Sequence, residues 1–341
     1  MFFRRAQSTE DETSLRQRAA GWPDDATLES LTAETLRQIT QREGVDFATA
    51  LLFDRFQKSA RHAEFIQRIN TLRRFPWPPR ATMDATAVIV PGALYVERPD
   101  LGGDGWLVRD VVERFGWGTD LIPLASVGSI TENARRIGDW LAGHSAERII
   151  LISLSKGGPE LKMALAAPNA PDLFRNVVAW VNVCGPLNGS RMVNWVLASG
   201  LRTRLLRLQY RFQRRDFRFI TDLRHGTNSP LNFPLHLPPG IKLVSLAGFP
   251  LKRHLTTLFS RFHHRTLAAH GPNDGTILLS DLHQWPGEIY PVWGADHFFR
   301  PENVARDLIA AVLRCLEEEL SPNHHAQPFR GTSGTSDPVT A

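Results

Sequence analysis

Three short segments of this 341-residue chain hold side chains that together could make an activated nucleophile: Ser155 in RIILISLSKGGPELKMAL, Asp274 in AAHGPNDGTILLSD and His297 in GADHFF. A serine hydroxyl is a weak nucleophile until a base lies within hydrogen-bond reach, and the base needs a third group to orient it. Ser155 follows a buried apolar run and precedes a helical one, so it falls on a strand–turn–helix corner. Such a corner closes only if the residues two before and two after the serine are small, and Ser153 and Gly157 both are. Gly158 adds room, and Pro159 suits a first helical turn because its missing N–H has no intrahelical partner there. The helix N-terminus would favour negative charge developing nearby. A plainer reading is an ordinary turn whose glycine amides bind phosphate, although P-loop spacing is lacking.

Asp274 stands in an Asn-Asp-Gly turn after an expected strand, Thr266 to Ala269, and His297 in a loop after an expected strand, Glu288 to Val292. Asn-Asp-Gly is also common turn chemistry, and Asp281 and Asp296 are rival acids. Asp281 is expected deeper in the following helix. Asp296 adjoins the base in sequence, which hinders approach of its carboxylate to Nδ1. The chain order Ser, Asp, His and the strand-end positions favour Asp274 and His297.

These segments resemble the α/β-hydrolase superfamily, whose usual nucleophile pattern is G-x-S-x-G; here Ser153 replaces the first glycine. The NDG turn is similar to the acid turn of bacterial lipases and esterases, and Gly-x-Asp-His-Phe to their histidine loop. The resemblance implies a Ser155, Asp274 and His297 triad, with backbone amides of Ala93 and Lys156 as oxyanion donors. The first strand ends VIVPGALY, where many lipases carry His-Gly; Pro91 stands in place of that histidine, and Leu94 is the fallback if the loop register shifts by one. VNVCGPLNGS resembles the lipase segment that walls the pocket, so Leu94, Pro186, Trp195 and Phe298 are expected against substrate. Cys184 reads as a buried strand-end thiol. The resemblance implies ester hydrolysis without cofactor or metal; an acyltransferase, an amide or thioester hydrolase, or a non-catalytic binding protein of the same fold are the alternatives.

The elements that would position these groups alternate. ATAVIVPG, DLIPLAS, RIILIS, NVVAWVNV, IKLVSLAG and EIYPV are short continuous apolar runs separated by helical ones, the pattern of a parallel sheet covered on both faces. An α/β domain is expected over 81–320. It is preceded by a helical extension and Pro-rich linker over 1–80, and followed by a polar, disordered tail over 321–341. The stretch 185–239 is too long for an ordinary connection and reads as a helical cap. Its LRTRLLRLQYRFQRRDFRFI carries eight charges in 20 residues, seven of them basic. That fits a cap helix with solvated arginines, or a surface making peripheral contact with a membrane. Its Trp195, Leu205, Leu206, Phe212 and Phe217 could line an acyl pocket.

Composition sets the outer bounds. An apolar fraction of 42% fills a sizeable core, and two cysteines, Cys184 and Cys315, cannot build a disulfide framework. A net charge of +5 without zinc-finger or aromatic RNA-binding patterns points away from nucleic acid. MFFRRAQSTEDETS has no apolar run of signal-peptide length, so a cytoplasmic protein is expected.

Overall fold

The computed structural model describes residues 11–23, 26–75, 80–300 and 302–321. Most of the Pro-rich linker and the expected disordered tail lie outside the described residues.

Six strands form one parallel sheet in the order β2-β1-β3-β4-β5-β6. They are β1 (Thr86–Val90), β2 (Gly118–Leu121), β3 (Ile149–Leu154), β4 (Val177–Val183), β5 (Lys242–Phe249) and β6 (Glu288–Trp293). The continuous apolar runs follow from burial on both faces. Val88, Val90, Ile149, Leu151 and Trp180 point into one core, while Ala87, Ile89, Ile150, Ile152, Ala179 and Val181 point into the other. Between β1 and β3 the strand order reverses, the place where an open α/β sheet leaves a crevice at its carboxyl ends.

The helices are α1 (Glu12–Ala20), α2 (Ala33–Glu43), α3 (Val45–Lys58), α4 (Ala63–Leu72), α5 (Trp106–Phe115), α6 (Ile130–Gly143) and α7 (Gly157–Leu165). They continue as α8 (Ala170–Leu173), α9 (Arg191–Leu197), α10 (Gly200–Phe212), α11 (Arg218–Asp222), α12 (Leu258–Leu267) and α13 (Glu302–Leu320). α6 and α7 cover the first core, α5 and α13 the second. The leading helices do not stand apart. Phe47, Leu51 and Phe56 of α3 enter the first core and Phe65, Ile66 and Ile69 of α4 the second, so the two helices grip β6 from both faces.

Two expected elements differ. DLIPLAS yields only the tail of β2, which Pro123 ends. The strand expected at Thr266 to Ala269 is absent: Thr266 and Leu267 close α12, whose buried Ser260, His264 and Leu267 recur at helical spacing. Four residues of TLAA are too few to separate a period of two from one of 3.6. No helix among the described residues is long and apolar enough to cross a membrane.

Candidate active site

The site begins with the corner between β3 and α7. Ser155 takes the left-handed conformation, φ 45°, which a non-glycine residue adopts at a cost. Its amide donates to Val183 O at 2.9 Å, and its carbonyl accepts from Gly158 N at 3.0 Å. The glycines are dictated by approach: a Cβ on Gly157 would lie 2.3 Å from Val90 O, and one on Gly158 2.6 Å from Asn182 Oδ1. Ser153 is tolerated where glycine is usual because its hydroxyl is fully engaged. It donates to Asn182 Oδ1 at 3.1 Å and accepts from Trp180 Nε1 at 2.8 Å.

Ser155 Oγ lies 2.9 Å from His297 Nε2, and His297 Nδ1 lies 2.8 Å from Asp274 Oδ2. The residue loops are tied as well, His297 N donating to Asp274 O at 3.2 Å. The other carboxylate oxygen of Asp274 accepts the amides of Thr276 and Ile277, each at 2.8 Å. With Asp274 N also donating to Ile277 O at 3.3 Å, five bonds hold Asp274 on a loop that follows α12, and the missing strand does not displace it. Burial works against a charged His297 ring, but the adjacent Asp274 outweighs it, with help from Asp296, and the pKa is raised above 6.5.

The rival acids have other partners. Asp281, in a 3₁₀ turn (Leu279–Gln284), pairs with His225 Nε2 at 3.0 Å. Asp296 accepts from Ser260 Oγ at 3.1 Å and from Phe298 N at 3.0 Å, anchoring the histidine loop to α12.

Facing Ser155 across the reversal is the loop after β1, whose Val90 and Pro91 carbonyls press on Gly157. Gly92 N donates to Gly103 O at 2.8 Å and Leu94 N to Ser126 O at 3.4 Å, while the Ala93 amide between them has no partner among the described hydrogen bonds. Leu94, at φ 61°, is thereby committed elsewhere, which favours the unshifted register. Lys156 opens α7 with its ammonium turned inward, onto Glu160 and Ala125 O. Asn133 Nδ2 reaches the same Glu160 oxygen at 2.6 Å, and burial pushes the Glu160 carboxyl up to about 7 against the pull of Lys156.

Of the residues expected against substrate, Phe298 stands edge-on to the His297 ring, centroids 5.6 Å apart. Pro186 is buried just beyond β4. Trp195 packs on Met192, Leu267 and Leu278, under Arg202 and edge-on to Phe262.

The insertion folds as α9, α10 and α11 followed by irregular chain. Tyr210, Phe219 and Leu223 pack with Ile130 against Ala93, Leu206 and Phe217. Leu206 and Phe217 thus join the cap's own core, whereas Leu205 and Phe212 face outward, more than half exposed. Sequence reasoning missed the Lys156–Glu160–Asn133 cluster and the buried ammonium of Lys162, which bonds to Leu187 O and Leu231 O at 2.9 Å. Cys184 is the buried thiol expected at the end of β4, left-handed at φ 49°, but its closeness to Asp274 and His297 was missed. The Cys184 sulfur, an Asp274 oxygen and a His297 nitrogen lie within 4.8 Å of one another. A soft metal could use that set only by breaking the bonds Asp274 and His297 already make. Burial and then the nearby Asp274 raise the Cys184 thiol well above its usual pKa, which disfavours the thiolate.

No protein-family model matches the chain, and no curated protein matches it. Among solved structures it is similar to a metagenomic carboxyl esterase, with 23% identity and a TM-score of 0.51 over 72% of this chain and 80% of that one. It is also similar to the mature lipase BlEst2 of Bacillus licheniformis, with 17% identity and a TM-score of 0.46 over 71% of this chain and 94% of that one. A third likeness is EstA from Clostridium botulinum, with 11% identity and a TM-score of 0.45 over 72% and 97%. At such identities the likeness concerns the fold, and the first of the three carries it.

Proposed function

The chain has the α/β-hydrolase fold, and on that premise we propose that it is a serine hydrolase of carboxylic esters, with Ser155 as nucleophile, His297 as base and Asp274 as orienting acid. The observation supporting this reading is the continuous relay from Ser155 Oγ through both ring nitrogens of His297 to a carboxylate that is otherwise fully bonded.

His297 Nε2 takes the Ser155 proton as Oγ attacks the acyl carbon. The charge arriving on the carbonyl oxygen meets the amides of Ala93 and Lys156 at the positive end of α7. Asp274 stabilises the imidazolium, which then gives its proton to the departing alcohol, leaving an acyl group on Ser155. Water deprotonated by His297 attacks that acyl group and releases the acid. Leu94, Pro186 and Phe298 wall the apolar side of the cleft, and α9–α11 cap it, the inner residues of the insertion packing against Ala93. Both cysteines are free thiols, in keeping with a cytoplasmic setting.

A fluorophosphonate probe is expected to label the protein at Ser155, located by peptide mapping, and the protein is expected to hydrolyse p-nitrophenyl butyrate. Labelling that persists in Ser155→Ala would overturn the assignment.

A further inference from the structure

α10 carries apolar side chains on two opposite faces. Leu206 and Tyr210 point inward to the cap core. Leu201, Leu205, Leu208 and Phe212 point outward, each more than half exposed, Phe212 at 79%. At 100° per residue these four fall within roughly 60° of arc, a single stripe. Arg202 flanks it on one side and Arg204, Arg207 and Arg211 on the other, and the helix has no carboxylate. α12 repeats the composition: Leu258, Phe259 and Phe262 are half or more exposed, beside Arg261 and Arg265, again with no carboxylate. The two faces are joined through Trp195, which lies under Arg202 of α10 and against Phe262 of α12. Phe259 continues the path to Phe298, next to His297.

We propose that the outer faces of α10 and α12 dock the protein on an anionic lipid surface, with the leucine and phenylalanine side chains in the interface and the arginines among the headgroups. A water-facing helix gains nothing from a clean second apolar stripe, whereas an interfacial one needs that stripe beside cationic flanks. The exclusively positive charge on both helices selects a negatively charged surface. The chain's own ends do not fit the stripe: 322–341 has Phe329 and Val339 as its bulky apolar residues, and 1–10 brings Arg4 and Arg5, of like charge. The proposal deepens the ester-hydrolase reading, because the path through Phe259 and Phe298 would bring a lipid ester from the interface to Ser155.

The test uses the full chain as Ser155→Ala, so that binding is read without turnover. Cosedimentation is measured with equimolar phosphatidylglycerol and phosphatidylcholine vesicles and with phosphatidylcholine alone. Binding to the anionic vesicles is expected to be at least tenfold stronger, to weaken with salt, and to fall at least tenfold when Leu201, Leu205, Leu208 and Phe212 are all changed to serine. Arg204→Gln, Arg207→Gln and Arg211→Gln together should remove the preference for anionic vesicles. No vesicle binding, binding indifferent to lipid charge, or binding unchanged by the serine set would overturn the proposal. So would self-association of the parent that the serine set abolishes, which would assign the stripe to a second copy. The serine set in an otherwise wild-type chain should hydrolyse soluble p-nitrophenyl butyrate at the parental rate. If the parent itself does not hydrolyse it, the catalytic reading fails, while the vesicle result stands or falls alone.

Discussion

The corner at Ser155 and the outer face of α10 are opposites. At the corner the Ser153 hydroxyl and the Ser155 amide and carbonyl are all bonded, and a single added methyl on Gly157 meets a carbonyl at 2.3 Å. On α10 four large apolar side chains are each left more than half exposed. The first region is fixed by the chain's own packing, so its residues are answerable to the fold. The second is unexplained by the fold and answerable to something outside it. Stability and chemistry should therefore respond to changes at the corner, and only association to changes on α10.

The sharpest way to break the contrast is at the relay. Ser155→Ala is expected to lower kcat for p-nitrophenyl butyrate by roughly 10⁴ to 10⁶, the range of triad deletions elsewhere. Asp274→Asn should cost about 10⁴ by leaving His297 in the wrong tautomer. Asp296→Asn removes a loop anchor and not the ring's partner, so its loss should be far smaller. If Asp296→Asn equals Asp274→Asn in kcat, the acid has been misassigned.

A smaller effect separates chemistry from stability by pH. The raised His297 pKa puts the acid limb of kcat/KM above pH 6.5, with activity growing as the ring loses its proton. The same raised pKa stabilises the fold fully below pH 6.5, and this contribution is lost as pH rises through the folded-state value. Removing the Asp274 charge should move the limb to lower pH; a limb that stays in place in Asp274→Asn would show that another group sets it.

Packing gives the next step down. Gly157→Ala should destabilise by roughly 1–3 kcal/mol in urea melts, since Val90 O cannot withdraw without moving β1. Leu205→Ser, out on α10, should stay within about 0.5 kcal/mol of the parent. Equal shifts would erase the distinction between the two regions.

The same contrast explains what the sequence could reveal. The corner was legible because Ser153, Gly157 and Pro159 sit within four residues of Ser155 and obey local steric rules. The order of Asp274 and His297 was legible for the same reason, each in a short turn of distinctive composition. The strand before Asp274 was misread because TLAA closes a helix whose periodicity lies upstream, in Ser260 and His264. Neither Asn133 beside Glu160 nor Cys184 beside Asp274 could be read, because those partners are distant in the chain and meet only when strands and loops assemble. On α10 the two apolar faces merge into one undirected richness in the linear sequence, and they separate only when the inner face finds Ile130 and Ala93.

The grip of α3 and α4 on β6 has a consequence for how this chain is made. His62 accepts the amide of Ile289, and Arg61 reaches Trp285 O and Gly287 O, contacts spanning more than 220 residues. During synthesis Phe47, Leu51 and Phe56 find only α1 and α2 at first, and Phe65 and Ile69 likewise wait for β6, more than 220 residues downstream. At about 5–20 residues per second that wait lasts on the order of tens of seconds, longer than helix formation by many decades. Completing the two cores is accordingly a late, long-range step, and a chain interrupted before residue 288 would leave the inner faces of α3 and α4 without β6.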